Sequence, residues 1–235
     1  MRIGLLSDAH GNPQAVSACL QKLKVFGVER IYFLGDAIGY LPGENQVLEL
    51  LHSASVYCQK GNHEAMLQGE IPLPHAKEGI YRIGDARARL SKSNQEFVVS
   101  WPGFRVVEVC SRKILLVHGS PDNPLQGQVY PDADLSNFDR LSYDAVFMGN
   151  THYPFVAHRQ GVLVANVGSC GLPRDQGDLP AFAVYDAVKN SCDIFRFHLD
   201  QNKVIESFKE GHIAEEVHQC LFRKSLSPVF GQFLG

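Results

Sequence analysis

The segment Ile3-Gly4-Leu5-Leu6-Ser7-Asp8-Ala9-His10-Gly11-Asn12-Pro13 decides the fold class. Its apolar start predicts a short buried strand, and its closing Asn-Pro predicts the start of a helix, because Asn caps helices and Pro suits the first helical position. Asp8 and His10 lie between these elements, where a carboxylate and an imidazole can face one point and bind a divalent metal. Alternatively, Asp8 caps the helix and His10 is an ordinary turn residue. This segment alone fits both interpretations.

The same pattern, an apolar strand followed by polar residues, recurs along the chain. The apolar run 31–34 precedes Asp36, and the run 55–58 precedes Asn62 and His63, with a helix predicted around residues 47–51. Strands that alternate with helices are typical of a parallel α/β sheet. In such a sheet the ligand crevice lies beyond the carboxyl ends of the strands, so we expect these polar residues to converge with the first pair. Independent turns would account for each polar residue but not for a shared position.

Two later strands also end in polar residues. A predicted hairpin ends in His118, and the strand 145–148 leads to Asn150 and His152. Carboxylates, imidazoles and amides can hold two divalent ions if Asp36 is shared between them. Two such ions, about 3.5–4 Å apart, clamp a phosphoryl oxygen and acidify a water molecule. The pattern therefore indicates phosphate ester hydrolysis.

The rest of the chain predicts the layout of a single domain, residues 1–235. Residues 66–102 have helical patterns and are expected to form an excursion over one face of the site. Beyond residue 154 the apolar runs are expected to be antiparallel strands that form a second sheet packed on the first. The remaining expectations are a hairpin at 104–109 and 113–117, a helix at 133–141, strands at 162–167, 181–186, 192–198 and 203–208, and a terminal helix at 212–226.

Composition excludes several functional classes. With 22 Lys+Arg against 25 Asp+Glu, the formal net charge is -3, so no broad electrostatic surface for nucleic acid is expected. The six cysteines are scattered and form no Cys-x-x-Cys pair, which argues against a disulfide framework or a zinc finger. No apolar run reaches about 18 residues, so we expect a cytoplasmic protein without a membrane partner.

The glycine-rich segment 168–174 ends in Arg174, and it could present backbone amides and a guanidinium to an oxyanion as a substrate-binding group. An ordinary loop with a solvated arginine fits its composition equally well. The histidines outside the strand-end set are expected to lie on the surface or in the core; they occupy positions 52, 75, 158, 198, 212 and 218.

Five ordered blocks of this sequence resemble those of the calcineurin-like metallophosphoesterase superfamily. The resemblance covers residues 1 to about 175 and keeps the order and spacing of the blocks. Segments 35–40 and 166–174 further resemble the small, single-domain prokaryotic phosphodiesterases of that superfamily. The five blocks are Asp8-Ala9-His10, Gly35-Asp36, Gly61-Asn62-His63-Glu64, His118 and Gly149-Asn150-Thr151-His152.

The resemblance implies an α/β fold, a four-layer α/β/β/α sandwich with two mixed β-sheets and a dinuclear metal site at one edge. It implies that His63 is a catalytic residue and not a ligand, placed to protonate the leaving oxygen or to steady the transition state. By position it assigns Asp8, His10, Asp36 and His152 to the first metal, and Asp36, Asn62 and His118 to the second.

Asn150 is the position at which the sequence departs from the family pattern. The last block usually carries a histidine there as a ligand of the second metal, and an amide oxygen is a poorer donor for zinc, nickel or iron. We therefore expect a weaker second site. Oxygen-rich ligation favours Mn²⁺, with iron, zinc and nickel as alternatives.

The predicted function is metal-dependent hydrolysis of a phosphodiester or phosphomonoester bond in a small or nucleotide-like substrate. The alternative is a non-catalytic or weakly catalytic protein-binding scaffold on the same fold. Retention of the first-site ligands, of Asp36 and of His63 favours the enzyme. No stable nucleic-acid binding is expected, and an exposed face of the second sheet could pair in a homodimer.

Overall fold

The computed structural model describes residues 1–208, 213–227 and 229–234. Its α-helices are α1 (Pro13–Val25), α2 (Glu44–Ser53), α3 (Asn62–Gln68), α4 (Glu78–Tyr81), α5 (Ile83–Arg89), α6 (Lys92–Val99), α7 (Gln201–Glu206) and α8 (Glu215–Leu221). Its strands are β1 (Arg2–Leu6), β2 (Arg30–Phe33), β3 (Tyr57–Cys58), β4 (Phe104–Val109), β5 (Arg112–Val117), β6 (Ala145–Met148), β7 (Phe155–Arg159), β8 (Val162–Asn166), β9 (Ala181–Asp186), β10 (Ser191–Phe197) and β11 (Gln232–Leu234).

Two mixed sheets form the centre of the molecule. In the first sheet, β1 pairs in parallel with β2 on one side and antiparallel with β9 on the other, within the order β11-β10-β9-β1-β2-β3. The second sheet has the order β4-β5-β6-β8-β7. Its middle strands β5, β6 and β8 are parallel neighbours, so their carboxyl ends lie at one edge.

Alternate residues of β1 face two different apolar layers, because successive side chains of a strand point to opposite faces. Ile3 and Leu5 join the core between the two sheets, whereas Leu6 joins the layer beneath α1 and α2. Gly4 shares the face of Leu6, and a Cβ there would lie 2.7 Å from a methyl group of Leu23, so glycine allows α1 to pack closely. A third apolar cluster covers the outer face of the second sheet. The predicted four-layer sandwich is confirmed.

The predicted composition of the second sheet was right for the strand at 162–167, which is β8, and wrong for the strands at 181–186 and 192–198. Strands β9 and β10 complete the first sheet, and the second sheet is built around the hairpin β4-β5 with β6, β8 and the unpredicted strand β7. Alternation of apolar residues identifies a strand but does not select its neighbour in the sheet. The pairing of β9 with β1 depends on side chains that meet across about 180 residues of sequence.

Three of the predicted elements also differ from the structure. In place of a helix at 133–141 there is a short 3-10 helix, Ser136–Arg140, preceded by a local turn in which Asp134 accepts hydrogen bonds from the amide and hydroxyl of Ser136. Residues 203–208 do not form a strand, because Asp200 caps α7 by accepting from the amides of residues 202 and 203. The terminal helix is the shorter α8, and His212 lies outside the described residues.

Between β3 and β4 the chain forms helices α3 to α6 and a short 3-10 helix at His75–Lys77. Tyr81 and Pro74 from this segment face the cavity described below. In the described part of the chain, no helix combines the length and the hydrophobicity needed to cross a lipid bilayer.

Candidate metal centre

The predicted site residues lie in turns that follow β1, β2, β5 and β6 and in the first turn of α3. Five of them have a left-handed backbone, with φ of 56° at Asp8, 46° at His10, 62° at Asp36, 66° at Asn150 and 65° at His152. This conformation costs a non-glycine residue about 1–3 kcal/mol and persists only where the surrounding structure enforces it. Such residues cluster at functional sites, so the conformation supports a functional role for these turns.

Hydrogen bonds between the turns enforce this backbone. The amide of Asp8 donates to the carbonyl of Gly35 at 2.9 Å, and the amide of His10 donates to the carbonyl of Asp36 at 3.0 Å. The hydroxyl of Ser169 donates to the carbonyl of Asp8 at 2.7 Å and joins the segment 168–174 to the first turn. The site residues are therefore positioned by mutual contacts between segments distant in sequence.

Three histidines, His10, His118 and His152, present the same ring atom to one region. In each ring, Nδ1 lies within hydrogen-bonding distance of a backbone carbonyl. A carbonyl only accepts, so Nδ1 carries the proton and, in a neutral ring, Nε2 is left as a lone pair. A hydrogen bond from the other ring nitrogen to a carbonyl is the arrangement that orients metal-ligating histidines. The three carbonyls belong to Ile38, Leu34 and Leu172, in the same order.

The ring atoms and carboxylates approach closely without compensating hydrogen bonds. The Nε2 atoms of His10 and His152 are 3.0 Å apart, a distance at which two lone pairs repel. The buried Oδ1 atom of Asp8 lies 3.2 Å from Nε2 of His152 and accepts no hydrogen bond from the described residues. A divalent cation between these atoms would satisfy all three, so the donor set fits a metal.

Asp36 reaches both groups of predicted ligands. Its Oδ2 atom lies 3.4 Å from Nε2 of His118 and 3.8 Å from Nε2 of His10. Asn62 places Oδ1 3.0 Å from the same atom of His118. Three sets of side chains each bring one ligand atom per residue within 4.8 Å of one another: Asp8, His10 and His152; Asp8, Asp36 and His118; and His10, Asp36 and His63.

Burial and mutual charge set the protonation of these groups. Burial acts to raise the pKa of the Asp8 and Asp36 carboxyls, but the neighbouring histidines outweigh it and hold both pKa values well below the usual range. Burial acts to lower the pKa of His118, but the carboxylates of Asp36 and Asp8 raise it to about 9. Both carboxylates are thus ionised at neutral pH, as metal binding requires.

Asn150 lies at the edge of the same site and is 8% exposed. Its backbone amide donates to Oδ2 of Asp8 at 3.1 Å, and its side-chain amide donates to the carbonyl of Gly127 at 2.8 Å. The second contact fixes the side chain's orientation and turns its nitrogen away from a ligand role. The amide oxygen is the atom left to bind a cation.

Glu64 is a site residue that the sequence analysis placed in a block without assigning it a role. Its fully buried carboxylate accepts hydrogen bonds from the amides of Asp36 at 2.8 Å, Ala37 at 2.7 Å and Gly61 at 2.8 Å. Burial, together with the charge of Asp36, raises the pKa of Glu64 to about 7. Its spacing of three residues from Gly61 at a helix start is the signal that could have identified it.

His63 is held by aromatic rings. Its ring centroid lies 5.1 Å from that of Tyr40 in a stacked arrangement, and 4.7 Å from those of Tyr81 and His10. Its Nε2 atom is 3.8 Å from Oδ2 of Asp36, beyond hydrogen-bonding distance. Burial lowers the pKa of His63 to about 3, so the ring is neutral at pH 7 and can donate one N–H.

A cavity of about 200 Å³ opens over these residues, and Arg174 is part of its wall. The guanidinium of Arg174 donates to the hydroxyl of Tyr40 at 3.1 Å. Burial, and after it the positive charge of Arg174, lowers the pKa of His152 to about 4. The structure therefore brings Arg174 to the same cavity as the predicted metal ligands, which the sequence left undecided.

The family model for the calcineurin-like phosphoesterase superfamily domain matches residues 1–190. The chain belongs to this superfamily. Members of this metal-dependent superfamily act on phosphoesters. The predicted resemblance is confirmed, and the matched range includes every residue of the candidate metal centre.

Individual proteins and solved structures are also similar to this chain over most of its length. An uncharacterized protein of Methanocaldococcus jannaschii is 27% identical over 239 residues, covering 94% of this chain and 97% of the relative. A hypothetical protein from Pyrococcus horikoshii has a similar solved structure, with a TM-score of 0.84, 21% identity and coverage of 94% and 97% of the two chains. A metallophosphoesterase from Sphaerobacter thermophilus aligns with a TM-score of 0.79, 23% identity and coverage of 94% and 98%. The two structures show that the fold is shared.

Proposed function

We propose that this member of the superfamily is a phosphoesterase that hydrolyses a phosphodiester or phosphomonoester at a dinuclear metal centre. The observation that carries the proposal is the convergence of two buried, ionised carboxylates, Asp8 and Asp36, with the Nε2 atoms of three histidines. The facing Nε2 lone pairs of His10 and His152, 3.0 Å apart, repel unless a cation lies between them. Two divalent ions bound here would supply charge neutralisation for the phosphoryl oxygens and an acidified water.

The residues around the metal ligands have distinct proposed roles. His10, Asp8 and His152 would hold the first ion; Asp36 would be shared; and His118, Asn62 and Asn150 would hold the second. Mn²⁺ is the proposed metal, because carboxylate and amide oxygens dominate the second site.

Two further residues would contact the substrate, and a third would position the turn that carries Asp36. The guanidinium of Arg174 would pair with a non-bridging phosphoryl oxygen, since it lines the same cavity. The neutral ring of His63 would donate its N–H to the leaving oxygen or to a non-bridging oxygen. Glu64 touches no substrate; it positions Asp36 and the turn after β2.

The test is hydrolysis of bis(p-nitrophenyl) phosphate and p-nitrophenyl phosphate by protein loaded with Mn²⁺, together with metal analysis of the purified protein. Turnover of either ester that requires the metal supports the enzyme. Two bound ions without turnover of either ester would favour the alternative, a scaffold that keeps the site for structure. Faster hydrolysis of the diester would support a phosphodiesterase.

A further inference from the structure

A second cavity adjoins the metal cavity and shares a wall with it. Tyr40, Tyr81 and Arg174 line both. The metal cavity measures about 200 Å³ and the second cavity about 450 Å³. Because sites for organic ligands usually measure roughly 300–1,000 Å³, the first has room for little more than a phosphoryl group, whereas the second can hold a substituent attached to it.

Two chain segments run from one cavity to the other. Gln126 and Gln128 line the metal cavity, and Tyr130, two residues further on, lines the second. His152 lines the metal cavity, and its neighbour Tyr153 lines the second. A phosphoester bound at the metal centre can therefore extend along these segments past Arg174.

The second cavity is lined by aromatic rings. The centroids of Tyr130 and Tyr153 lie 5.9 Å apart, and Tyr130 lines the cavity while being 36% exposed, so part of this side chain is accessible to a ligand. Rings in this position can stack on the face of a planar ligand, an interaction worth about 1–3 kcal/mol per nucleobase.

The second cavity also carries local positive charge. Lys77, Arg174 and Arg223 line it, against one acidic residue, Glu216, among the described lining residues. Arg223 donates to the backbone carbonyl of Arg174 at 3.0 Å, which fixes its guanidinium beside the shared wall. The whole chain has a net charge of -3, so this excess of positive charge is a local property of the cavity.

We propose that the second cavity binds the nucleoside portion of a nucleotide-type phosphoester, with the base stacked on Tyr130 and any additional phosphate beside Arg223. The inference rests on the proposed function, because the scissile phosphoryl group is placed at the metal centre. It deepens that function by naming the class of substrate. Rings and fixed cations together select an aromatic, anionic substituent over an aliphatic one.

The test is calorimetric titration of the Mn²⁺-loaded protein with adenosine 5′-monophosphate and with methyl phosphate. The two ligands carry the same phosphoryl group and differ in the substituent. We expect the nucleotide to bind at least about fivefold more tightly, the lower end of the stacking contribution. In Tyr130→Ala this ratio should fall to near one, whereas Tyr130→Phe should keep it, because the ring and not the hydroxyl stacks.

Tyr57→Ala is the matched control. Tyr57 is 47% exposed and stacks on Tyr32 with ring centroids 5.2 Å apart, on β3, outside both cavities. The ratio of the two affinities should be unchanged in this variant. Equal affinity for the two ligands, or equal loss of the ratio in Tyr57→Ala and Tyr130→Ala, would overturn the inference.

The nucleotide-binding test and the hydrolysis test of the proposed function can each succeed or fail independently. Hydrolysis of bis(p-nitrophenyl) phosphate without a preference for the nucleotide would leave the enzyme standing and remove the nucleoside site. A Tyr130-dependent preference without hydrolysis of any ester would support the nucleoside site and remove the catalytic role.

Discussion

The carboxylate of Glu64 accepts a hydrogen bond from the backbone amide of Asp36 at 2.8 Å, so an acid in the first turn of α3 holds the turn that follows β2. Glu64→Gln should lower the free energy of unfolding by about 1–3 kcal/mol, because the side-chain NH₂ would face amide donors that now meet a carboxylate. Urea denaturation of the metal-free protein measures this. Glu96→Gln, on the exposed face of α6, is the control and should change it by less than about 0.5 kcal/mol. An equal effect in both variants would contradict the role of Glu64.

Asp36→Asn should abolish nearly all activity and the binding of both metals. The shared carboxylate supplies charge to each proposed ion, and a neutral amide cannot replace it. Metal analysis after dialysis checks the prediction, with Asp132→Asn at an exposed position as the control. Retention of two ions by Asp36→Asn would disprove the bridging assignment.

His63→Ala should retain metal and lose on the order of 10²-fold in turnover, the contribution expected of a positioned N–H that hydrogen-bonds the leaving oxygen. The loss should be smaller for p-nitrophenyl esters than for alkyl esters, because a good leaving group needs little stabilisation by a hydrogen-bond donor. Kinetics with both ester types distinguish the roles, and His158→Ala on β7 serves as the control. Equal losses for the two ester types would assign His63 to positioning of the substrate instead.

Asn150→His should tighten the second metal and shift its preference toward Zn²⁺ and Ni²⁺, since imidazole is the better donor for these ions. The unaltered protein should bind one ion tightly and a second only when Mn²⁺ is added. Calorimetric titration of metal-stripped protein measures both sites, with Asn137→His as a control at an exposed position. Two equally tight sites that Asn150→His leaves unchanged would contradict the account of Asn150.

The convergence of the proposed metal-site residues was predictable because parallel strands place their carboxyl ends together. Asp8 and Asp36 follow neighbouring strands β1 and β2, so their meeting follows from the strand-helix-strand pattern alone. Glu64 was not assigned a role because its partners are backbone amides, and only its spacing of three residues from Gly61 at a helix start points to them. The same limit applies to the carbonyls that orient the three histidines.

Strand order was less predictable than strand position. The residues of β9 and β10 were identified as strands, but their pairing with β1 depends on which apolar faces complement each other across the whole chain. The expected helix at 133–141 does not form, because the side chain of Asp134 accepts hydrogen bonds that compete with those of a helix. The spacing of apolar residues gives no information about such a local turn.

The central position of β1 between β2 and β9 also governs when the site can form during protein synthesis. The ribosome releases Asp8 first, but the strand that covers its open edge is β9, and the hydroxyl that holds its turn belongs to Ser169. Contacts of such large sequence separation form late, because a long loop must close first. The complete set of proposed ligands therefore comes together only after β9 has emerged, and the proposed ions would bind no earlier than that.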